Sequence, residues 1–402
     1  MILRATGAFR SALLVALVAL ALPAQGAGQA SATLTVCPQG PPHCQFTTIE
    51  DALAAAADGD RILIAPGTYA GGLTITKSVR LIGAGANETT ISGNNGQWRP
   101  VVTVSPPSLI RTGSDPPVVT ISGVTITGGF FGGIRNNAEL ALNDCVVSEN
   151  DGVDNVGGIE NGGTLTVDRC VVENNSGDET GGLRNDDGGT TEIRRSAITG
   201  NSAVYEGGGI SNAGRLELTR TVVDGNAALD GTGGGIRNSG TANVTDATVN
   251  GNTARWGGGL YNSGILRMRR TAVDDNVANA GTEGGDGGGI LNSGTITLVH
   301  TSISGNSALS NDHYTSGGGL ANSGHAALVH VRISANVAQA QGGGIANEGL
   351  LRLAHSAVTS NTALDVGGTG IFGGGIYNGS LGLVTLVHAT VRRNTPDNCY
   401  GC

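Results

Sequence analysis

Two asparagines recur in every turn of this chain's repeat, and their phase restricts the fold more than any other feature. The first stands in a Gly-Gly-(Gly)-Ile/Leu-x-Asn unit, at Asn136, Asn161, Asn185, Asn212, Asn238, Asn262, Asn292, Asn322, Asn347 and Asn378, spaced 24 to 31 residues apart. The second stands in a β-branched x-Val/Ile-x-x-Asn unit, at Asn150, Asn175, Asn201, Asn226, Asn252, Asn276, Asn306, Asn336, Asn361 and Asn394. A repeat of this length points to a solenoid, whose units bury their apolar sides only by stacking on one another.

The unit from Gly207 to Asn226, GGGISNAGRLELTRTVVDGN, holds three short strand candidates. Ile210 alternates with Ser211, Leu216 and Leu218 flank Glu217, and Thr221 and Val223 alternate with Val222 and Asp224. Ala213-Gly214 forms the first turn, the single residue Arg220 the second, and the stretch to the next glycines the third. Each strand pairing in parallel with its counterpart one coil on makes an all-β parallel β-helix. A leucine-rich repeat has a comparable length. Stretches such as GGGIRNSG reject it, because each Gly costs about 1 kcal/mol relative to Ala in the helix that such a repeat requires.

Strands of successive coils lie about 4.8 Å apart, so inward asparagines meet their equivalents above and below. Each amide then donates to one neighbour and accepts from the other. An orphaned buried amide costs about 1–3 kcal/mol, so both columns are expected to be structural.

Gly and Pro supply 69 and 11 of the 402 residues, a fraction usual for collagen or disorder. Neither fits, since the glycines follow no Gly-x-y period and sit in phase beside β-branched residues. Residues 1–27 read as an export signal, with Arg4 and Arg10 flanking the start, an apolar run from Ala12 to Leu22, and small residues at Ala24, Gly26 and Ala27. That run falls short of the about 20 residues that a membrane helix needs, and no later segment is a transmembrane candidate. The remainder is expected to be secreted or cell-surface associated, and monomeric. Removing the two arginines takes the formal charge from -9 to -11, which argues against a general nucleic-acid-binding surface.

Six cysteines in an exported chain permit disulfides. Cys37 and Cys44 flank a turn with Pro38, Pro41 and Pro42 and are expected to pair. Cys399 and Cys402 form a C-x-x-C without a surrounding βαβ pattern, so a loop disulfide is expected rather than redox catalysis. Neither pair has the second pair of ligands that a zinc site requires. Cys145 and Cys170 hold the same inward position in adjacent coils, continued by Ser196 and Thr221. Side chains stacked in parallel make poor disulfide geometry, and buried free thiols are expected.

Strand-like runs between Arg61 and Gly129 are expected to form three or four earlier coils, so the β-helix spans 61–394. Residues 33–60 form an expected N-terminal cap in which Thr47 and Glu50 make a capping box for a helix over 49–57, with Ile49, Leu53 and Ala56 on one face. Residues 395–402 are the expected cap at the other end, since uncovered strand edges invite pairing with other chains.

The segment TTIEDALAAAADGDRILIAPGTYAGGLTITKSVRLIGAGANETTISG resembles the opening of right-handed parallel β-helix proteins of the pectin lyase-like superfamily. The later coils, GGGIxNxGxLxLxxTxVxxN, resemble the repeats of polymorphic outer membrane proteins. Together these stretches cover roughly residues 33–394, and they imply a single-stranded right-handed parallel β-helix; the handedness comes from the resemblance alone. They imply no particular activity, because the superfamily holds lyases, hydrolases, esterases and non-enzymatic adhesins. The departures are specific. Polygalacturonases of the superfamily carry Asn-Thr-Asp, Asp-Asp, Gly-His-Gly and Arg-Ile-Lys signatures, whereas Asp186-Asp187 and Asp274-Asp275 stand isolated and the last two signatures are missing. The later Gln-Asp-Thr and Gly-Arg-Pro-Trp elements of the esterases are also missing, and Lys77, the only lysine, leaves no lysine base for a typical lyase groove.

The resemblance places a groove along the outside of the first strand. The outward residues there are Arg135, Glu160, Arg184, Ser211, Arg237, Tyr261, Leu291, Ala321, Ala346 and Tyr377, charged and aromatic at first and mostly bland later. Trp256 and Tyr261 are candidates for stacking on a sugar, and Arg135, Arg184 and Arg237 for gripping carboxylates. The plainer alternative is a solvated ladder in which Glu160 separates two arginines. A second column occupies the bend after the second strand: Arg169, Arg195, Arg220, Asp246, Arg270, His300, His330, His355 and His388. Its histidines have the chemistry for metal binding or pH sensing, against which stands simple tolerance of histidine at a solvated bend. Long loops at Val277 to Gly287, Ser307 to Ser316 and Thr362 to Gly373 offer Glu283, Asp286, Asp312, His313 and Tyr314 as a second binding surface. No cofactor is expected; GGDGGG at Gly284 to Gly289 is a weak calcium signal. The expected function is non-catalytic binding of polysaccharide or another cell surface. Its alternatives are a polysaccharide lyase or hydrolase using Arg135, Glu160 and Arg184, and a purely structural surface protein.

Overall fold

The computed structural model describes residues 31–93, 98–106, 115–153, 155–279, 285–310, 315–364 and 373–402. The export signal therefore lies outside the described residues, as do Glu283, Gly284, Asp312, His313 and Tyr314.

The alternation read from the sequence becomes a stack of flat layers. Sheet one has 13 strands, from Leu73–Ile75 to Cys399–Tyr400; sheet two has 14, from Thr33–Val36 to Leu383–Val387; sheet three has 13, from Gly67–Ala70 to Thr390–Arg392. Neighbouring strands pair in parallel and in register, so that Asn185, Asn212 and Asn238 face one another in turn. Ile210, Ile236, Leu260 and Ile290 stack as one fully buried column inside sheet one, and a single apolar core runs through the layers. The chain is a parallel β-helix.

Three strands per coil proves too few. A fourth sheet of nine short strands, from Asp151–Gly152 to Thr362–Ala363, follows the second asparagine of each layer. Its inward residues, such as Gly177, Ala203, Ala228 and Ala254, form a buried column of small side chains. The glycines that lead into sheet one pass close against this sheet and have to be bare: a Cβ on Gly208 would sit 2.4 Å from the carbonyl oxygen of Ala227. Gly207, just before it, has φ +47°, a conformation that glycine adopts without strain.

The turn from sheet two to sheet three also differs in detail. Strand two ends at Thr219 and strand three begins at Val222, so Arg220 and Thr221 share the corner. Arg220 takes φ 52°, and the same left-handed backbone holds Asp144, Arg169, Arg195, Asp246, Arg270, His300, His330, His355 and His388. The residue after it points inward, which is how Cys145, Cys170, Ser196 and Thr221 come to form a buried column. Cys145 and Cys170 are free thiols, with the Cys145 N–H donating to Cys170 Sγ at 3.3 Å.

Near the N-terminal end a helix, α1 (Ile49–Ala55), packs on Thr33–Val36, Arg61–Ile64 and Leu73–Ile75. Its cap is Thr48 rather than Thr47: the Thr48 hydroxyl accepts the Asp51 N–H at 3.1 Å and donates to Asp51 Oδ2 at 2.6 Å. This phase puts Ile49, Ala52 and Leu53 into the core. The helix ends at Ala55 rather than 57, because Ala56 is extended. Lys77 Nζ closes the far end by donating to the carbonyls of Leu53, Ala54 and Ala56 at 3.1, 2.9 and 2.6 Å, which a helix C-terminus favours. Cys37 is bonded to Cys44, and Cys399 to Cys402.

Candidate binding groove

Both asparagine columns are continuous hydrogen-bonded chains. In the first, Asn212 Nδ2 donates to Asn238 Oδ1 and Asn238 Nδ2 to Asn262 Oδ1, each at 2.7 Å. In the second, the amide also serves the backbone of sheet three, and Asn252 Nδ2 donates to the carbonyl of Val223, inside the strand Val222–Asp224, at 3.0 Å. These columns hold the outward faces of the layers in strict alignment.

On the outward face of sheet one, register places Arg135, Glu160 and Arg184 beside one another. Arg135 Nε lies 2.5 Å from Glu160 Oε2, and Arg184 Nη2 lies 2.6 Å from Glu160 Oε1. Arg184 also contacts Glu179, and its Nε lies 2.9 Å from Asp186 Oδ1. Farther along, Arg237 Nη1 lies 3.1 Å from Glu206 Oε2. The sequence suggests Glu160 as a spacer between arginines and Asp186 only as part of an isolated Asp-Asp pair; the turn carboxylates Glu179 and Glu206 carry no signal there. Burial, opposed by the neighbouring Arg184, raises the Asp186 carboxyl above its ordinary range. Trp256 belongs to sheet four, opposite Thr232, and the Arg255 guanidinium lies 4.2 Å from its ring centroid. One face of that indole is therefore occupied by the chain's own cation.

The later half of the row, bland in sequence, contains a hollow. Leu291, Ala321, Ala346 and Tyr377 are paired in successive layers of sheet one. The two alanines leave a depression between the larger end residues, a cavity of about 190 Å³. Asp286, Ser316 and Gln341 line it on the sheet-four side, and Ser323 and Glu348, in the turns after the asparagines, line it on the other. Asp286 Oδ1 accepts the Ser316 N–H at 2.6 Å. Burial pushes the Asp286 carboxyl above its ordinary range, and that N–H partly opposes the shift. Burial and then the Glu348 charge raise the Tyr377 hydroxyl. The Tyr377 ring stacks on Tyr400 at 5.7 Å, which fixes its orientation. The Glu348 carboxylate rests against bare Gly379, where any Cβ would collide with it.

The bend column is an ion-pair ladder that gives way to a stack of rings. Arg169 holds Asp144 through Nε and Nη2 at 2.7 and 2.9 Å, Arg195 holds Asp168 at 2.9 and 2.5 Å, and Arg270 holds Asp246 at 2.5 and 2.8 Å. These arginines hold the three aspartates below the usual carboxylate range. His300, His330, His355 and His388 then stack at 4.8, 5.2 and 5.0 Å. Among the described residues, no group of three or more His, Cys, Asp or Glu is placed to hold a metal ion, and no helix is long and apolar enough to cross a membrane.

No protein-family profile and no curated protein sequence matches the chain. Similar solved structures do exist. A pectin methylesterase from Aspergillus niger aligns at 16% identity and TM-score 0.36 over 66% of this chain and 83% of its own. A pectate lyase aligns at 14% and 0.36 over 92% and 81%, and the A-module of a mannuronan C-5 epimerase from Azotobacter vinelandii at 16% and 0.39 over 87% and 93%. These values transfer neither activity nor site to this chain.

Proposed function

We propose that the protein is an exported, non-catalytic scaffold that binds polysaccharide along the outward face of sheet one. One observation carries the binding reading. The outward face of sheet one holds a concavity bordered by hydroxyl, amide, carboxyl and phenol groups around an apolar floor, the combination that fixes a polyhydroxylated ligand. The non-catalytic reading is supported by Arg135, Glu160 and Arg184, which are engaged with one another and with turn carboxylates. A base committed to two guanidiniums is poorly suited to abstract a proton.

The test is a panel of neutral, acidic and amino polysaccharides incubated with the secreted protein, followed for retention and for products. Retention without new reducing ends or unsaturated-uronate absorbance is expected. Turnover that Arg184→Ala removes would establish the lyase or hydrolase alternative instead, and a panel with no retained glycan would leave a purely structural role.

A further inference from the structure

The hollow at Ala321 and Ala346 has a chemistry that the rest of the groove lacks. Among the described residues, its lining includes two carboxylates, Asp286 and Glu348, and no Lys, Arg or His. The early half of the groove differs, with Arg135, Arg184 and Arg237 interleaved with the carboxylates that pair with them. A uronate placed in the hollow would meet like charge on both walls and find no donor of positive charge. A protonated amine would meet opposite charge, in a concavity where reduced solvent screening strengthens the attraction.

The two carboxylates stand on opposite walls of one cavity, with the Tyr377 ring at one end. Asp286 is anchored by the Ser316 N–H, and Glu348 has room at Gly379. The floor between them is short and apolar, which suits the face of a pyranose ring. From this arrangement we infer that the hollow is a subsite for an amino sugar of a polysaccharide, with the ammonium drawn in by the negative charge of the two walls and the ring resting on Ala321 and Ala346 against Tyr377. The inference rests on the polysaccharide-binding reading and narrows it to one ligand chemistry at one place.

Calorimetric titration at pH 7 and low salt would use three probes of equal length: a glucosamine oligomer, a neutral β-linked glucose oligomer and a galacturonate oligomer. The glucosamine oligomer is expected to bind at least tenfold more tightly than either of the others. Glu348→Gln and Asp286→Asn should each weaken it about tenfold, and Ala346→Phe, which fills the hollow, should abolish saturable binding. Unchanged unfolding midpoints would show that Glu348→Gln and Ala346→Phe keep the fold. Equal or tighter binding of galacturonate, or glucosamine binding indifferent to all three substitutions, overturns the subsite while leaving a polysaccharide binder in place. Silence from all three probes overturns both readings.

Discussion

Asn252 Oδ1 accepts two hydrogen bonds from Asn226, one from its backbone N–H and one from its Nδ2, each at 2.9 Å. The same double acceptance recurs along the second column, for instance from Asn276 to Asn306. The first column instead passes one amide bond between layers and adds bonds to turn carbonyls, as Asn238 Nδ2 does with Gly240. Removing an amide from the second column therefore orphans a buried main-chain donor as well as a side chain.

Asn252→Leu should destabilise the protein by about 2–4 kcal/mol, from more than one orphaned group at about 1–3 kcal/mol each. Asn238→Leu should cost less, and Leu229→Ser, at an exposed position, almost nothing. Chemical unfolding midpoints decide the order. Equal midpoints for Asn252→Leu and Leu229→Ser would remove the columns from the account of stability.

His330 sits at φ 55°. Asn tolerates this conformation, whereas a β-branched residue strongly resists it. Both His330→Asn and His330→Val lose the stacked neighbours, so the difference between them isolates the backbone. His330→Val should be less stable than His330→Asn by about 1 kcal/mol, measured by denaturant unfolding.

Asp286 and the bend aspartates should respond to pH in opposite directions. Burial raises the folded pKa of Asp286, so the folded state holds its proton more tightly and stability falls as pH rises from the unfolded value, about 3.9, through the raised one. Asp286→Asn should thus match the parent near pH 3 and exceed its melting temperature at pH 7. Asp246, lowered by Arg270, contributes stability at neutral pH that is lost as pH falls through its depressed value. Asp246→Asn should lower the melting temperature at pH 7 and converge with the parent in acid. Melting curves at several pH values check both signs.

Cys145 and Cys170 are each 1% exposed. Contact with the Cys145 thiol and burial push the Cys170 thiol upward, which disfavours the reactive thiolate. The native protein should therefore leave Ellman's reagent unreacted over the minutes in which the unreduced, unfolded chain releases two equivalents. Rapid reaction of the native protein would contradict the inward placement of both residues.

Strands one to three were legible because each has enough alternating residues to reveal its inward side, as Leu216 and Leu218 do around Glu217. The fourth sheet was not, because pieces such as Ser202–Ala203 are too short to alternate. Its trace was the Gly or Ala two places after each second asparagine, from Gly152 to Ala363. In the groove, the pairing of Glu160 with its arginines followed from register, whereas Glu179 and Glu206 reach it from turns whose path the repeat does not specify. Ala321 and Ala346 looked uninformative in sequence because a cavity is written in missing side-chain volume, which has meaning only once Tyr377 and Leu291 are known to flank it.

From Gly123 onward the corner between sheets two and three has only two residues, such as Arg220 and Thr221, and the first is left-handed in each layer. A joint so short has no slack, and one added residue would turn the following strand inside out. The corner before the glycines has already absorbed extra chain between Ser307 and Ser316. The solenoid thus has a spine and an open margin: a foreign peptide spliced after Leu309, the exposed end of its strand, would leave the layers stacked, and the same peptide beside His330 would dislocate them.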